Sequence, residues 1–124
     1  MSKIMAVDPG TEQSAVIQWD TITQEVTEKN IMLNNDLLNG LRRVSLLPPT
    51  IVPYDIVVIE GIASYGMPVG RTVFETCYLI GRIMEIALKY EIVYRKDIKM
   101  HFCGTTRAKD SNVRQALIDR FGEP

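Results

Sequence analysis

Two short apolar runs that each end in a carboxylate constrain this chain more than any other feature. Residues 4–7 are apolar and are followed by Asp8, and residues 56–59 are apolar and are followed by Glu60. Each run has the length and branching of a buried strand, and the second is apolar at successive positions, as in a central strand covered on both faces. If the two strands are adjacent and parallel, both carboxylates lie at the carboxyl edge of the sheet, where open α/β folds place their ligands.

Two carboxylates at one sheet edge predict a divalent cation. Hard oxygen donors that face each other repel unless a cation lies between them, and Mg²⁺ or Mn²⁺ is the usual choice. Each acid also has a plainer interpretation. Residues 8–11 can be only a hairpin turn, in which Pro9 sets φ and Gly10 tolerates positive φ. Glu60 can simply mark a strand that reaches solvent, although glutamate is rarely buried without a partner.

The length of the chain predicts one domain. At 124 residues it should bury roughly two thirds of its unfolded surface. Two cysteines and one histidine are too few for a zinc site, which favours reduced intracellular thiols. The sequence shows no charged-then-apolar leader and no apolar stretch near the length that crosses a bilayer. We therefore expect a soluble cytoplasmic protein with no membrane partner.

Charge is distributed unevenly along the chain, although the net charge is only −1. Residues 1–68 carry four basic and eight acidic side chains, whereas residues 69–124 carry ten basic and seven acidic ones. The densest basic segment, with Asp97 as its only acid, contains Arg95, Lys96, Lys99, Arg107 and Lys109. Such a segment suits phosphate contacts. An ordinary solvated face explains it equally well at this stage.

Hydrophobic periodicity predicts an α/β order of elements. Strands are expected at residues 3–8, 13–19, 25–32, 54–60 and 92–94. The first three form an antiparallel meander. A helix capped by Asn34 or Asn35 and stopped by Pro48 then crosses over, which makes the fourth strand parallel to the first and brings Asp8 and Glu60 together.

Three further helical segments are predicted in the second half. The longest covers residues 69–89 and has an apolar stripe of Val69, Val73, Cys77, Ile80, Met84 and Ala87. Its polar stripe consists of Arg71, Glu75, Tyr78, Arg82, Glu85 and Lys89. A short segment from Asp97 ends at Gly104, and a last helix from Asp110 or Ser111 ends at Gly122. That last helix is expected to bury Val113, Ala116, Leu117 and Phe121.

Residues 7–11, 59–60 and 108–113, taken in this order, resemble the RuvC family. These are Holliday junction resolvases with a ribonuclease H-like fold, and the resemblance covers almost the whole chain. The loop at residues 64–70 is similar to that of the short phage or prophage branch. The resemblance implies an α/β fold with a five-stranded mixed sheet, a three-strand antiparallel meander plus parallel strands, flanked by helices.

By this resemblance Asp8 and Glu60 would be metal ligands of an endonuclease that hydrolyses phosphodiesters. Two ions, Mg²⁺ or possible Mn²⁺, would activate water and steady the leaving oxygen. Lys109 matches a family lysine before the last helix, and so joins Asp8 and Glu60 as a catalytic candidate. Tyr65 lies near the place of a family aromatic that stacks on an unpaired base. The DNA-binding candidates are Tyr65, Arg71, Arg95, Lys96, Lys99, Arg107 and Lys109.

The family completes its metal centre with acids on one further helix. Residues 1–124 are therefore expected to be a single nuclease domain that lacks a C-terminal helix. Asp110 and Asp119 are the nearest remaining acids, but Asp110 suits a helix cap and Asp119 lies inside the last helix. Neither is assigned to the centre.

The resemblance also implies a homodimer acting on branched DNA, since a four-way junction has near two-fold symmetry and needs paired incisions. The long helix, with Tyr78 and Arg82, is the candidate dimer face. One alternative is a non-catalytic branched-DNA-binding module. Another is an actin-like ATPase, because Asp-x-Gly-Thr also introduces a phosphate-binding loop. Such ATPases need a second nucleotide-binding domain, so no nucleotide cofactor is expected here.

Overall fold

The computed structural model describes residues 3–63, 66 and 68–123. Their elements, in chain order, are β1 (Lys3–Asp8), β2 (Gln13–Asp20), β3 (Glu25–Leu33), α1 (Asn34–Ser45), a 3₁₀ turn (Pro49–Ile51), β4 (Ile56–Gly61), α2 (Arg71–Ile86), β5 (Tyr90–Tyr94), α3 (Arg95–Cys103) and α4 (Asp110–Phe121). The chain divides into two compact units, one reaching Ile92 and the other starting at Val93. None of the helices in the described part of the chain is long and apolar enough to cross a bilayer.

The strands form one five-stranded mixed sheet in the order β3-β2-β1-β4-β5. β1 and β2 are antiparallel, as are β2 and β3, which confirms the predicted meander. β1 and β4 are parallel neighbours, so the chain crosses over through α1 as predicted. The fold class predicted from the sequence is therefore confirmed.

The core of the first unit lies on one face of this sheet, here called the core face. Side chains alternate between the two faces of a strand, so every second strand residue contributes to it. The strands contribute Val7, Val16, Val57 and Ile59, and the helices add Leu37, Leu38, Leu41, Leu79, Ile80 and Ile83. The helices α1 and α2, which carry these residues, also pack against each other.

The predicted apolar stripe of α2 is wrong at Cys77, which is exposed. The buried residues of this helix are Thr76, Leu79, Ile80 and Ile83. Thr76 enters the buried arc because its hydroxyl donates to the Thr72 carbonyl at 2.9 Å, which satisfies the polar atom within the helix. The polar residue Thr76 thus lies in the buried arc of α2, where hydropathy predicts the neighbouring Cys77.

The helix ends agree with the glycine positions but not with the predicted cap. α3 ends at Gly104 with φ of 71°, and α4 ends at Gly122 with φ of 87°, as predicted. The cap position of α1 is Leu33, and no side chain caps that helix. The predicted capping by Asn34 or Asn35 is therefore wrong.

The second unit contains α3 and α4, which pack against each other. No residue within α4 is fully buried; Val113 and Ala116 are half-buried, whereas Leu117 and Phe121 are exposed. The prediction that α4 buries Leu117 and Phe121 is wrong. Phe121 lies in the last turn, and the Arg120 guanidinium covers its ring face at 5.2 Å, so its contact is with a cation.

Candidate active site

The strand register places Asp8 beside Glu60. β1 and β4 pair from Ile4 and Ile56 as far as Val7 and Ile59, and the same register one residue further aligns the two acids. Val7 and Ile59 are buried on the core face, so Asp8 and Glu60 lie on the opposite face, here called the carboxylate face. Because neighbouring strands lie about 4.8 Å apart, the acids are adjacent.

The two acids belong to a row that crosses four strands. Asp8 pairs with Ala15 of β2, and Ala15 pairs with Ile31 of β3. We call Ile31, Ala15, Asp8 and Glu60 the carboxylate row. Asp8 is exposed and Glu60 is half-buried, while Ile31 is 66% exposed. The carboxylates therefore border an accessible apolar surface.

A second row on the same face extends that apolar surface. Ile17 pairs with Ala6 of β1 and with Lys29 of β3, and Ala6 pairs with Val58 of β4. Ile17 is 38% exposed although it lies in the middle of β2. This apolar surface of the sheet lies next to the two acids, so a further element that carries polar groups could pack against it.

The chemistry of the acids fits a hydrated divalent cation. Carboxylates are preferred ligands of Mg²⁺ and Mn²⁺, and Mg²⁺ keeps several of its waters when only one or two carboxylates hold it. Across residues 3–63, 66 and 68–123, however, no group of three or more histidine, cysteine, aspartate or glutamate side chains is placed to hold a metal.

Residues 9–12 connect β1 to β2, as the hairpin interpretation predicts, but Gly10 does not adopt the positive φ expected there. Asp8 ends β1, and the following residues connect β1 to its antiparallel neighbour β2. A Cβ atom added to Gly10 would lie 2.3 Å from the Gln13 carbonyl oxygen. Glycine is thus required by the close approach of the chain to itself, while Asp8 still occupies the carboxylate row.

The predicted basic residues are divided between the two units. Arg71 begins α2 in the first unit, where its Nε donates to Glu75 at 2.6 Å. In the second unit the candidates are Arg95, Lys96, Lys99, Arg107 and Lys109, all exposed except the half-buried Lys99. Tyr65 lies outside the described residues.

Lys109 occupies the cap position of α4. Its backbone N–H donates to Asn112 Oδ1 at 2.9 Å, so the start of the helix is held by an asparagine. Lys109 is exposed, and its ammonium group only donates hydrogen bonds, so an anion is a suitable partner for it.

Arg95 and Asp110 form an ion pair between the first residues of α3 and α4. The hydrogen bond from the Arg95 guanidinium, followed by its charge, holds the pKa of Asp110 below its usual value. The pair therefore stabilises the unit at neutral pH, and that contribution is lost as the pH falls through the lowered pKa. The Asp110 carboxylate is thus engaged by an arginine side chain.

Two solved structures resemble the chain over nearly all its length. A structure of Thermus thermophilus RuvC covers 97% of this chain, with 80% of its own length matched, a TM-score of 0.68 and 11% identity. The chain has a RuvC-like fold. A structure of T. thermophilus RuvC in complex with a Holliday junction substrate matches with a TM-score of 0.63 and 10% identity, covering 100% of this chain and 82% of that one. No protein-family model and no curated protein matches the sequence.

The RuvC-like fold, found at such low identity, is the ribonuclease H-like α/β architecture that the sequence predicted.

Two residues that form hydrogen bonds with Gly10, in the turn after Asp8, were not predicted as part of the site. Ser14 is a small polar residue in a strand, which carries no pattern of its own. Asn34 was assigned to a helix cap.

We expect Asp110→Asn to strengthen DNA binding by the second unit. The change removes the carboxylate charge that attracts Arg95, which favours contact of the guanidinium with a phosphate. Affinity for a four-way junction at low salt should rise about three-fold, and the slope of log affinity against log salt should steepen by about 0.9. Filter binding or fluorescence anisotropy over a salt series measures both.

Asp119→Asn is the matched control. It removes the same charge from α4, but the Asp119 carboxylate accepts a hydrogen bond from Gln115 at 2.9 Å, so no arginine is released. The control should leave the salt slope unchanged. Equal slopes for Asp110→Asn and the parent protein would contradict the assignment of Arg95 as a phosphate contact.

Proposed function

We propose that this chain is the nuclease domain of a divalent-metal-dependent endonuclease that cleaves Holliday junctions and other branched DNA. The carboxylate row carries this proposal, because it sets Asp8 beside Glu60 on neighbouring parallel strands. The RuvC-like fold supports the substrate class, since one similar structure is RuvC with a Holliday junction substrate. We place the protein in phage or prophage DNA recombination, repair or processing, in the host cytoplasm.

The residues of the first unit would hold the metal. Asp8 and Glu60 supply two negative charges, and the exposure of Asp8 leaves room for the remaining ligands to be water and phosphate oxygens. Mg²⁺ or Mn²⁺ bound there supplies Lewis acidity toward a phosphodiester and lowers the pKa of bound water. The two carboxylates would orient the ion and neutralise part of its charge. Neither carboxylate needs to exchange a proton for this role.

The basic residues of the second unit would supply phosphate contacts. Lys109 is proposed to hold a phosphate near the scissile bond, and Arg95, Lys96, Lys99 and Arg107 to track the backbone, with Arg71 of the first unit. Tyr65 is proposed to stack on an unpaired base at the junction centre. Binding of this kind is salt-sensitive and does not depend on the metal.

A non-catalytic branched-DNA-binding module is the second candidate function. The observation that favours it is the lack of a third metal-binding side chain among the described residues. The two functions separate in one experiment: a four-way junction and a linear duplex of the same sequence are each incubated with the protein and Mn²⁺. Symmetric nicking of the junction alone supports the nuclease, whereas binding without any nicking, at any metal concentration, supports the module. Binding of ATP would instead favour the actin-like ATPase.

We also propose that the protein acts as a homodimer through α2. The surface of this helix away from the core carries Phe74, 51% exposed, and Tyr78, 69% exposed, and a Cβ added to Gly81 would meet open space. Two copies packed antiparallel about Tyr78 would bring Arg71 of one near Glu85 of the other, since each lies seven residues from Tyr78. A second copy therefore matches this surface in shape and charge.

We expect Tyr78→Asp to convert a dimer to a monomer, because it places a charge at the centre of an apolar contact. Sedimentation velocity or light scattering after gel filtration measures the mass. Thr72→Asp is the matched control, with the same new charge on an exposed residue of the same helix but about a third of a turn around the helix from Tyr78. A parent protein that is monomeric at high concentration, or a dimer that survives Tyr78→Asp, would contradict this interface.

A further inference from the structure

A partly buried ring of hydrogen bonds holds the turn that follows Asp8. Ser14, only 2% exposed, accepts a bond from the Gly10 N–H at 3.3 Å and donates to Asn34 Oδ1 at 2.7 Å. Asn34 Nδ2 donates to the Gly10 carbonyl at 2.9 Å. Both polar backbone groups of Gly10 are therefore bound by side chains, one from β2 and one from α1. We call Ser14 and Asn34 the Gly10 clamp.

The side chain of Asn34 takes part in this ring and does not cap α1, although asparagine favours capping. Asn34 is the first residue of α1, next to a cap position that has no side-chain bond, and asparagine is among the best capping residues. Its side chain is directed to Gly10 instead, and its backbone N–H donates to the Glu12 carbonyl at 2.9 Å. A residue that breaks a local rule in favour of one loop indicates that the loop geometry matters.

The clamp acts on the chain on both sides of Asp8. Pro9 fixes φ directly after Asp8, and Gly10 is held at both polar groups, so little backbone freedom is left there. Ser14 directly precedes Ala15, which is the strand partner of Asp8. The clamp therefore joins the turn after Asp8, the strand paired with it and the start of α1.

We propose that Ser14 and Asn34 are positioning residues that fix Asp8 so that its carboxylate can share a divalent ion with Glu60. This inference rests on the proposed function. Groups that orient a metal ligand without touching the metal set its affinity, because a freely moving ligand must lose entropy when the ion binds. Neither Ser14 nor Asn34 contacts the ion in this arrangement.

Binding of Mn²⁺ to the 124-residue protein tests the proposal without requiring cleavage. Free Mn²⁺ is measured by electron paramagnetic resonance, at a temperature well below the melting temperature of the least stable variant. Ser14→Ala and Asn34→Ala should each weaken Mn²⁺ binding about ten-fold. The double variant should be no weaker than the weaker single one, because either change opens the same ring. Affinity for a four-way junction without metal should stay unchanged.

Three further variants calibrate the result. Asp8→Asn, which removes a ligand, defines the affinity without the site. Asn35→Ala, at an exposed neighbour in the first turn of α1, controls for effects on the helix start and should bind Mn²⁺ like the parent. Asn34→Asp keeps an acceptor for Ser14 but loses the donor to Gly10, so it should fall between the parent and Asn34→Ala.

The outcomes separate the two proposals. If Asp8→Asn abolishes Mn²⁺ binding while the clamp variants keep the parent affinity and only melt earlier, the clamp is purely structural and the inference is overturned. If the parent binds no Mn²⁺, or binds it equally well after Asp8→Asn, the proposed metal site is wrong and the inference falls with it. Should Asn34→Ala not fold, Ser14→Ala and Asn34→Asp decide the question.

Discussion

Asp8→Asn and Glu60→Gln should each abolish metal-dependent cleavage of a four-way junction by an enzyme with a complete metal centre. Each change removes one negative charge from the row in which the acids are neighbours, and the metal needs that charge to bind and to act. Junction affinity should stay within about three-fold, because arginine and lysine side chains, and not the two acids, make the phosphate contacts that dominate binding. Single-turnover cleavage and anisotropy, with Mg²⁺ and with Mn²⁺, measure the two quantities separately.

Glu28→Gln provides the control for loss of a strand carboxylate. Glu28 is exposed on β3 and pairs with Gln18, outside the carboxylate row, so cleavage should continue at the parent rate. A Glu60→Gln enzyme that cuts like its parent would show that the metal centre lies elsewhere. Equal losses in all three variants would point to a general effect of charge on DNA docking.

The 124-residue protein itself should bind branched DNA and cut it poorly. Asp8 and Glu60 provide two side chains, whereas each ion takes about six oxygen ligands and water brings no negative charge. Extending the chain with an amphipathic helix that carries one aspartate should raise cleavage about 100-fold or more, the scale of one preorganised charge-stabilising group. The exposed Ile17 and Ile31 beside the acids give such a helix an apolar surface to cover.

The same extension with asparagine in place of the aspartate is the control. It covers the same apolar surface and should raise the melting temperature equally, but it should not restore cleavage. Robust symmetric nicking by the unextended 124 residues would contradict this expectation. Asp110→Asn and Asp119→Asn would then show which acid completes the centre.

The sequence predicted the elements that depend on local pattern and chain topology. The strand that ends at Asp8 and the parallel pairing that aligns it with Glu60 follow from apolar runs and the crossover rule, and both are present. Gly104 and Gly122 end their helices as predicted, because positive φ is a local requirement. The sequence alone therefore predicts that Asp8 and Glu60 are neighbours. The metal that they are proposed to hold remains a prediction.

The predictions that failed depend on contacts between distant residues. Asparagine is a preferred capping residue, so the sequence favours that role for Asn34. Only the fold shows that the Asn34 side chain is hydrogen-bonded to Ser14 and Gly10 instead. Cys77 scores as apolar, yet the buried arc of α2 passes through Thr76, whose hydroxyl is satisfied inside the helix. Hydropathy assigns one value to each residue type, so it cannot register either of these hydrogen bonds.

Gly10, which lies close to the Gln13 carbonyl, and Asp8 are required for different reasons. Glycine is required there by the folded chain itself, since any side chain would collide with backbone, whereas Asp8 is needed only if the metal chemistry persists. A descendant that lost cleavage but kept its architecture would retain the glycine and be free to replace the aspartate. In a chain of this fold, the glycine therefore reports the geometry of the turn, and the acid two residues before it reports retained metal chemistry.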